Sequence, residues 1–182
     1  MRRLQTYESF TNEQISYYRA ESGFIGETSI FEPKGYYENI GDDDEPNINF
    51  GEHRISDTPE VCASKYIGGC VLGSYSMNRT GKYFIYEINE KPDKDISHWS
   101  NQDFQYLEEV RYRRTIKGKY IGEVILTNYQ KKLFEILYKH FELSSDESPE
   151  EMTELEYEEF DKYWNDIEDG KLEKELKKIK VK

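Results

Sequence analysis

The chain has 182 residues, enough for one domain with a real core, and a formal net charge of −12 at pH 7. Hydrophobic residues are only 36%, but 16 Tyr and 9 Phe raise the aromatic share to 15%, so burial must rest on large rings. Residues 141–170 hold 13 of the 37 acidic residues and a single basic one, Lys162, while the remainder is balanced. That distribution argues against a direct grip on a nucleic-acid backbone, which needs clustered Lys and Arg.

No apolar run is long enough to span a membrane, and none follows the charges of Met1-Arg2-Arg3, so neither a membrane span nor a signal peptide is expected. Cys62 and Cys70 are too few for a disulfide scaffold and are expected to be reduced, as in a cytoplasmic protein.

In chain order, residues 1–16 read as a short arm or helix, and Ile15 to Ala20 as the first strand. Residues 21–50, rich in Gly, Asn, Asp and Pro, read as a long irregular loop. Ser56-Asp57-Thr58-Pro59-Glu60 has the layout of a helix start, with Thr58 as N-cap and Pro59 in the first turn. The helix is expected to run through Val61, Ala63, Ser64 and Tyr66 and to stop at Gly68-Gly69.

Tyr83 to Ile88 is the strongest strand pattern, and Tyr120 to Leu126 reads as another. From Asn128 the period becomes helical, with Tyr129, Leu133, Phe134, Leu137, Tyr138 and Phe141 on one face. Ser148-Pro149-Glu150-Glu151 resembles a capping box, followed by a stripe of Met152, Leu155, Phe160, Tyr163, Trp164 and Ile167 that ends at Gly170. Leu172, Leu176 and Ile179 mark a last amphipathic segment. The expected organisation is α+β: a β-rich body over residues 1–127 and a helical C-terminal appendage over 128–182, acidic between 141 and 170.

Four motifs stand in a telling order. Tyr18-Arg19-Ala20-Glu21-Ser22 lies on the first strand, Ser56-Asp57-Thr58 precedes the small-residue helix, Tyr83-Phe84-Ile85-Tyr86-Glu87-Ile88 follows, and Glu108-Glu109-Val110 comes after a polar loop. This series, covering about residues 17–126, resembles the arginine-targeting ADP-ribosyltransferase toxins of the cholera, heat-labile enterotoxin and pertussis group. The resemblance implies a pair of small twisted antiparallel sheets with a cleft for NAD between them, plus the C-terminal helices.

It also implies roles. Arg19, with Tyr18 and Ala20 beside it, would bind NAD through the rigid donor fork of a guanidinium. Ser56, with Thr58, would fix the nicotinamide ribose and the catalytic carboxylate. Glu109 would stabilise the oxocarbenium-like charge as nicotinamide leaves, much as carboxylates do in glycosidases. Two registers remain open, since Glu108 can also be set in the catalytic position. Asn47-Ile48-Asn49-Phe50-Gly51-Glu52-His53 resembles a further segment of these toxins and would put His53 in the site, though far closer to Ser56 than in the family.

In these toxins a carboxylate or amide two residues before the catalytic glutamate directs transfer to arginine. Leu107 stands there instead. The acceptor is therefore open among arginine, another side chain, a nucleobase and water, with a protein the first expectation. The setting would be a toxin or effector delivered by a dedicated machine, or a phage-type modifier acting where it is made. The competing reading is a non-enzymatic acidic protein, an inhibitor, immunity or anti-defence factor that docks on a basic protein partner through residues 141–170.

Overall fold

The computed structural model describes residues 16–33, 59–95, 106–144 and 152–182. Seven strands form one antiparallel sheet: β1 (Tyr17–Glu21), β2 (Thr28–Phe31), β3 (Val61–Ser64), β4 (Lys82–Ile88), β5 (Lys94–Asp95), β6 (Glu109–Tyr112) and β7 (Ile116–Ile125). Their order across the sheet is β2-β7-β4-β1-β3-β6-β5. Four described helices accompany them: α1 (Ile67–Met77), α2 (Asn128–Ser144), α3 (Glu154–Glu168) and α4 (Lys171–Lys178).

The sheet is robust on one side of β1 and narrow on the other. β1 pairs with β4 over its full length, Tyr17↔Ile88 to Glu21↔Phe84, whereas β1 and β3 meet at the single pair Tyr18↔Ser64. β3 in turn pairs throughout with β6, Val61↔Tyr112 to Ser64↔Glu109. β7 carries a bulge opposite Ile85/Tyr86, and Gly122 sits there at φ 139, a conformation that suits glycine.

One core lies between the sheet and the helices. Tyr83, Ile85 and Val124 from the strands meet Val71, Leu72 and Tyr75 of α1, Leu133, Phe134 and Leu137 of α2, Phe160 and Ile167 of α3, and Leu172 and Leu176 of α4. A second cluster of Phe31, Val61, Ala63, Tyr86, Ile88, Val110, Tyr112 and Ile116 fills the other face. Four buried tyrosines, Tyr75 and Tyr83 in the first core and Tyr86 and Tyr112 in the second, carry much of this volume, and further tyrosines pack against both, as the aromatic composition required.

The strands expected at Ile15–Ala20, Tyr83–Ile88 and Tyr120–Leu126 are present with small shifts of boundary, as is the helix from Asn128. Three expectations are corrected. The segment read as a helix over Val61 to Tyr66 is strand β3, because pairing to both β1 and β6 outweighs the local cap signal. The helix begins where it was expected to end: Gly68 and Gly69 lie in the first turn of α1, whose N-cap Tyr66 makes no side-chain cap. Part of the supposed loop 21–50 is the edge strand β2, held by its ladder to β7.

The C-terminal region follows the pattern with two changes. α3 opens on a capping box made by Thr153 and Glu156, five residues beyond the one expected at Ser148, which lies outside the described residues. Leu155, assigned to the buried stripe, is 77% exposed. Gly170 does end α3, at φ 71, and Leu172, Leu176 and Ile179 are buried.

The glycines that misled the helix boundary are there for contact. A Cβ on Gly68 would lie 2.2 Å from the backbone oxygen of Leu176, and one on Gly69 2.3 Å from both Leu107 O and Ser64 Oγ. At Gly73 the nearest atom is a side-chain carbon of Leu107 at 3.4 Å. Gly68→Ala and Gly69→Ala are therefore each expected to cost about 1–3 kcal/mol through overpacking, whereas Gly73→Ala should be near neutral or stabilising in the helix interior. Urea midpoints at unchanged slope check this, and equal midpoints for all three variants would refute the contact role.

Candidate functional site

Arg19 sits where β1 and β3 part. One position beyond the Tyr18↔Ser64 pair, its Nη1 donates to the Cys62 carbonyl at 2.9 Å, bridging the strands by a side chain. Its Nε donates to Glu21 Oε1 at 2.6 Å, and its guanidinium lies 5.0 Å over the Phe31 ring. Among the described residues none takes a hydrogen bond from Nη2. A charged fork fixed at two nitrogens is preorganised for an anion.

Glu109 begins β6 directly across from Ser64, and is 8% exposed. Arg111 Nε donates to its Oε1 at 2.7 Å, and Arg111 Nη1 donates to Glu60 Oε2 at 3.0 Å. Arg113 Nε reaches the other oxygen of Glu60 at 3.1 Å. The two acids and the arginine between them lie on one face because positions 60 and 62 of the β3 segment, and 109 and 111 of β6, alternate in step. Burial opposes the charge of Arg111, but Glu109 and Glu60 outweigh it and hold the guanidinium more firmly protonated.

Cys62 completes the cluster. Burial first, then the charge of Glu109 and a hydrogen bond to it, push the Cys62 thiol up to about 12. At neutral pH it is thus a protonated donor to the Glu109 carboxylate. Its carbonyl serves Arg19 and its side chain serves Glu109, so this one residue connects the guanidinium and the carboxylate.

The two glutamates of the sequence motif are placed differently. Glu109 is in the strand beside Cys62. Glu108 is in the turn before it at φ 43, left-handed and unusual for a non-glycine residue. Its carbonyl accepts the Lys65 N–H at 3.2 Å, and its carboxylate acts on Tyr66, whose phenol is raised mainly by burial and then by Glu108. Ser64 holds this turn: its Oγ donates to the Leu107 carbonyl at 2.6 Å.

Of the other expected site residues, Tyr18 pairs with Ser64 and Glu87 and lines a cavity of about 280 Å³ with Tyr66 and Leu176. Ala20 is buried under α1, its carbonyl accepting from Ser74 Oγ at 2.6 Å. Ser56, Thr58 and His53 lie outside the described residues. Cys62 and Glu60 carry no motif in the sequence because the helix-start signal at Thr58-Pro59-Glu60 masks the strand that follows, and Arg111 is marked only by its partners across the ladder. A small polar–small–small polar run after a valine, Val61-Cys62-Ala63-Ser64, was the available signal. Among the described residues no group of three or more His, Cys, Asp or Glu could hold a metal ion, and no helix is long and apolar enough to cross a membrane.

Searches against protein-family models, curated proteins and solved structures find no match to this chain.

The coupling of Cys62 to Glu109 has a measurable consequence. In Glu109→Gln the raised thiol should fall toward the ordinary cysteine range, because the charge and the acceptor strength both drop. Iodoacetamide labelling of Cys62, resolved from Cys70 by peptide mass, should then turn on at a lower pH than in the parent. Identical pH profiles would show that the thiol does not feel Glu109.

Proposed function

We propose that the chain is an NAD-dependent mono-ADP-ribosyltransferase. The observation that carries this reading is the sequence Arg19–Cys62–Glu109 across the consecutive strands β1, β3 and β6, an anion-binding fork linked through one residue to a buried carboxylate. The narrow β1–β3 junction further supports two sub-sheets, β2-β7-β4-β1 and β3-β6-β5, with the NAD cleft where they part.

In this mechanism the pyrophosphate of NAD rests on Arg19 and the nicotinamide ribose against Glu109. The bond between ribose C1′ and the nicotinamide nitrogen breaks, its electron pair leaving with neutral nicotinamide. Glu109 stabilises the oxocarbenium charge, and its hydrogen bonds from Cys62 and Arg111 keep the carboxylate in place. The acceptor nucleophile then bonds to C1′ and gives up its proton.

The acceptor is best served by a group that is already neutral, a hydroxyl, a ring nitrogen or water. Leu107 cannot deprotonate an incoming guanidinium, and its carbonyl is engaged by Ser64. Of the two carboxylates, Glu109 takes the catalytic role and Glu108 a place in the turn.

The acidic interaction protein stays as a second reading because of a specific observation. Arg19 is paired with Glu21 and Glu109 with Arg111, each two residues along its own strand, while α3 exposes Leu155 and Tyr157 among Glu154, Glu156 and Glu158. Purified protein with labelled NAD separates the two. The enzyme reading expects release of nicotinamide or labelling of lysate macromolecules. It also expects Glu109→Gln to slow this by about 100-fold or more, the scale of losing a preorganised electrostatic stabiliser. Glu108→Gln should stay close to the parent. Inactivity of the parent in both assays, with Glu109→Gln indistinguishable from it, would remove the enzyme reading.

A further inference from the structure

We infer that Phe24 is the stacking platform for the adenine of the dinucleotide, an inference that rests on the NAD reading above. Phe24 lies in the connection between β1 and β2, five residues beyond Arg19, and is 51% exposed. Scattered exposed apolar residues need no explanation, but this one is mounted. Its ring meets Tyr120 in a T-shaped contact at 5.0 Å and Phe84 at 5.9 Å.

The loop beneath it is pinned. The Ile25 N–H donates to the Tyr86 hydroxyl at 3.0 Å, Ser29 Oγ donates to the Ile25 carbonyl at 3.3 Å, and the Glu27 carbonyl accepts from the Tyr120 N–H at 2.9 Å. Gly26, at φ 122, lets the chain turn back into β2. An exposed ring on a loop held at three points loses little freedom when a flat ligand stacks on it.

Its position relative to Arg19 gives the ligand class. Arg19, Tyr86 and Tyr120 are cross-strand partners in one row over β1, β4 and β7. The rings of Phe31, Tyr86, Tyr120 and Phe24 follow one another on the same face, with the Arg19 guanidinium over the first. Two interstrand steps put about 10 Å between the backbone positions of Arg19 and Tyr120, over which Phe24 stands. A ribose joining a phosphate to a base covers that order of separation. An arginine for the phosphate and an aromatic ring for the base, one ribose apart, suit a nucleotide.

Cys62 and Glu109 lie beyond Arg19 in the strand order, toward β3 and β6, with side chains on the opposite face from this row, so the row itself takes the adenosine half, over β4 and β7.

The test uses titration calorimetry of the full chain with NAD and with nicotinamide mononucleotide, which lacks the adenosine half. Phe24→Ala should weaken NAD at least about tenfold, within the range that base–aromatic stacking supplies, and leave nicotinamide mononucleotide binding unchanged. Phe24→Trp should keep NAD affinity, and an unchanged melting temperature in both variants would exclude a folding defect. A parent that binds NAD while Phe24→Ala binds it equally well overturns the subsite alone. Equal weakening of both ligands does the same. A parent that binds neither overturns the NAD reading and the subsite together.

Discussion

The insertion of β3 between β1 and β6 is the constraint on which the candidate site depends. On one side β3 is joined by a ladder running the length of β6, and on the other by the lone pair Tyr18↔Ser64. That asymmetry lets Arg19 reach across to the Cys62 carbonyl, where a regular ladder would have used that oxygen for a backbone N–H. The close fit at Gly69, against Leu107 and Ser64, lets α1 start immediately after β3 and presses the Glu108 turn onto the strand. Backbone geometry, rather than any single side-chain bond, thus brings guanidinium and carboxylate to one residue.

The charges obey a simple rule. Buried or half-buried ions must be paired: Arg19 finds Glu21 and Glu109 finds Arg111 on their own strands, and Glu60 takes Arg111 and Arg113 from across the ladder. Such i, i+2 pairs leave one edge of each group for something else. Arg19 still has Nη2, while Glu109 takes the Cys62 thiol as well as Arg111 Nε. A dinucleotide in this site would add to these pairs and strengthen the arrangement, since charge-assisted hydrogen bonds gain as water is excluded.

Much of the fold was legible where one periodicity dominates. The alternation of Tyr83 to Ile88, the helical stripe from Tyr129 to Tyr138 and the stop at Gly170 all describe local preferences that tertiary packing does not oppose. The region from Ser56 to Gly69 was not legible, for a physical reason. Thr58-Pro59-Glu60 carries a real helix-start signal, yet Val61 to Ser64 gains more from two strand neighbours, and Gly68-Gly69 serves close packing, not termination. The site suffered accordingly: Arg19 and Glu109 were visible as motif residues, while Cys62 and Arg111 became visible only through their partners in space. β2 was hidden because a four-residue edge strand between glycines has no pattern to read.

Arg19 and Glu109, linked through Cys62 of β3, are together expected to engage NAD. Backbone amide shifts of the isotope-labelled chain, followed by NMR as NAD is added, test it most directly. Saturable shifts are expected at Arg19–Glu21 on β1, Cys62–Ser64 on β3, Glu109–Arg111 on β6 and Phe24 with its partner Tyr120, with α3 silent. Shifts confined to α3 and α4, or none at saturating NAD, would contradict it.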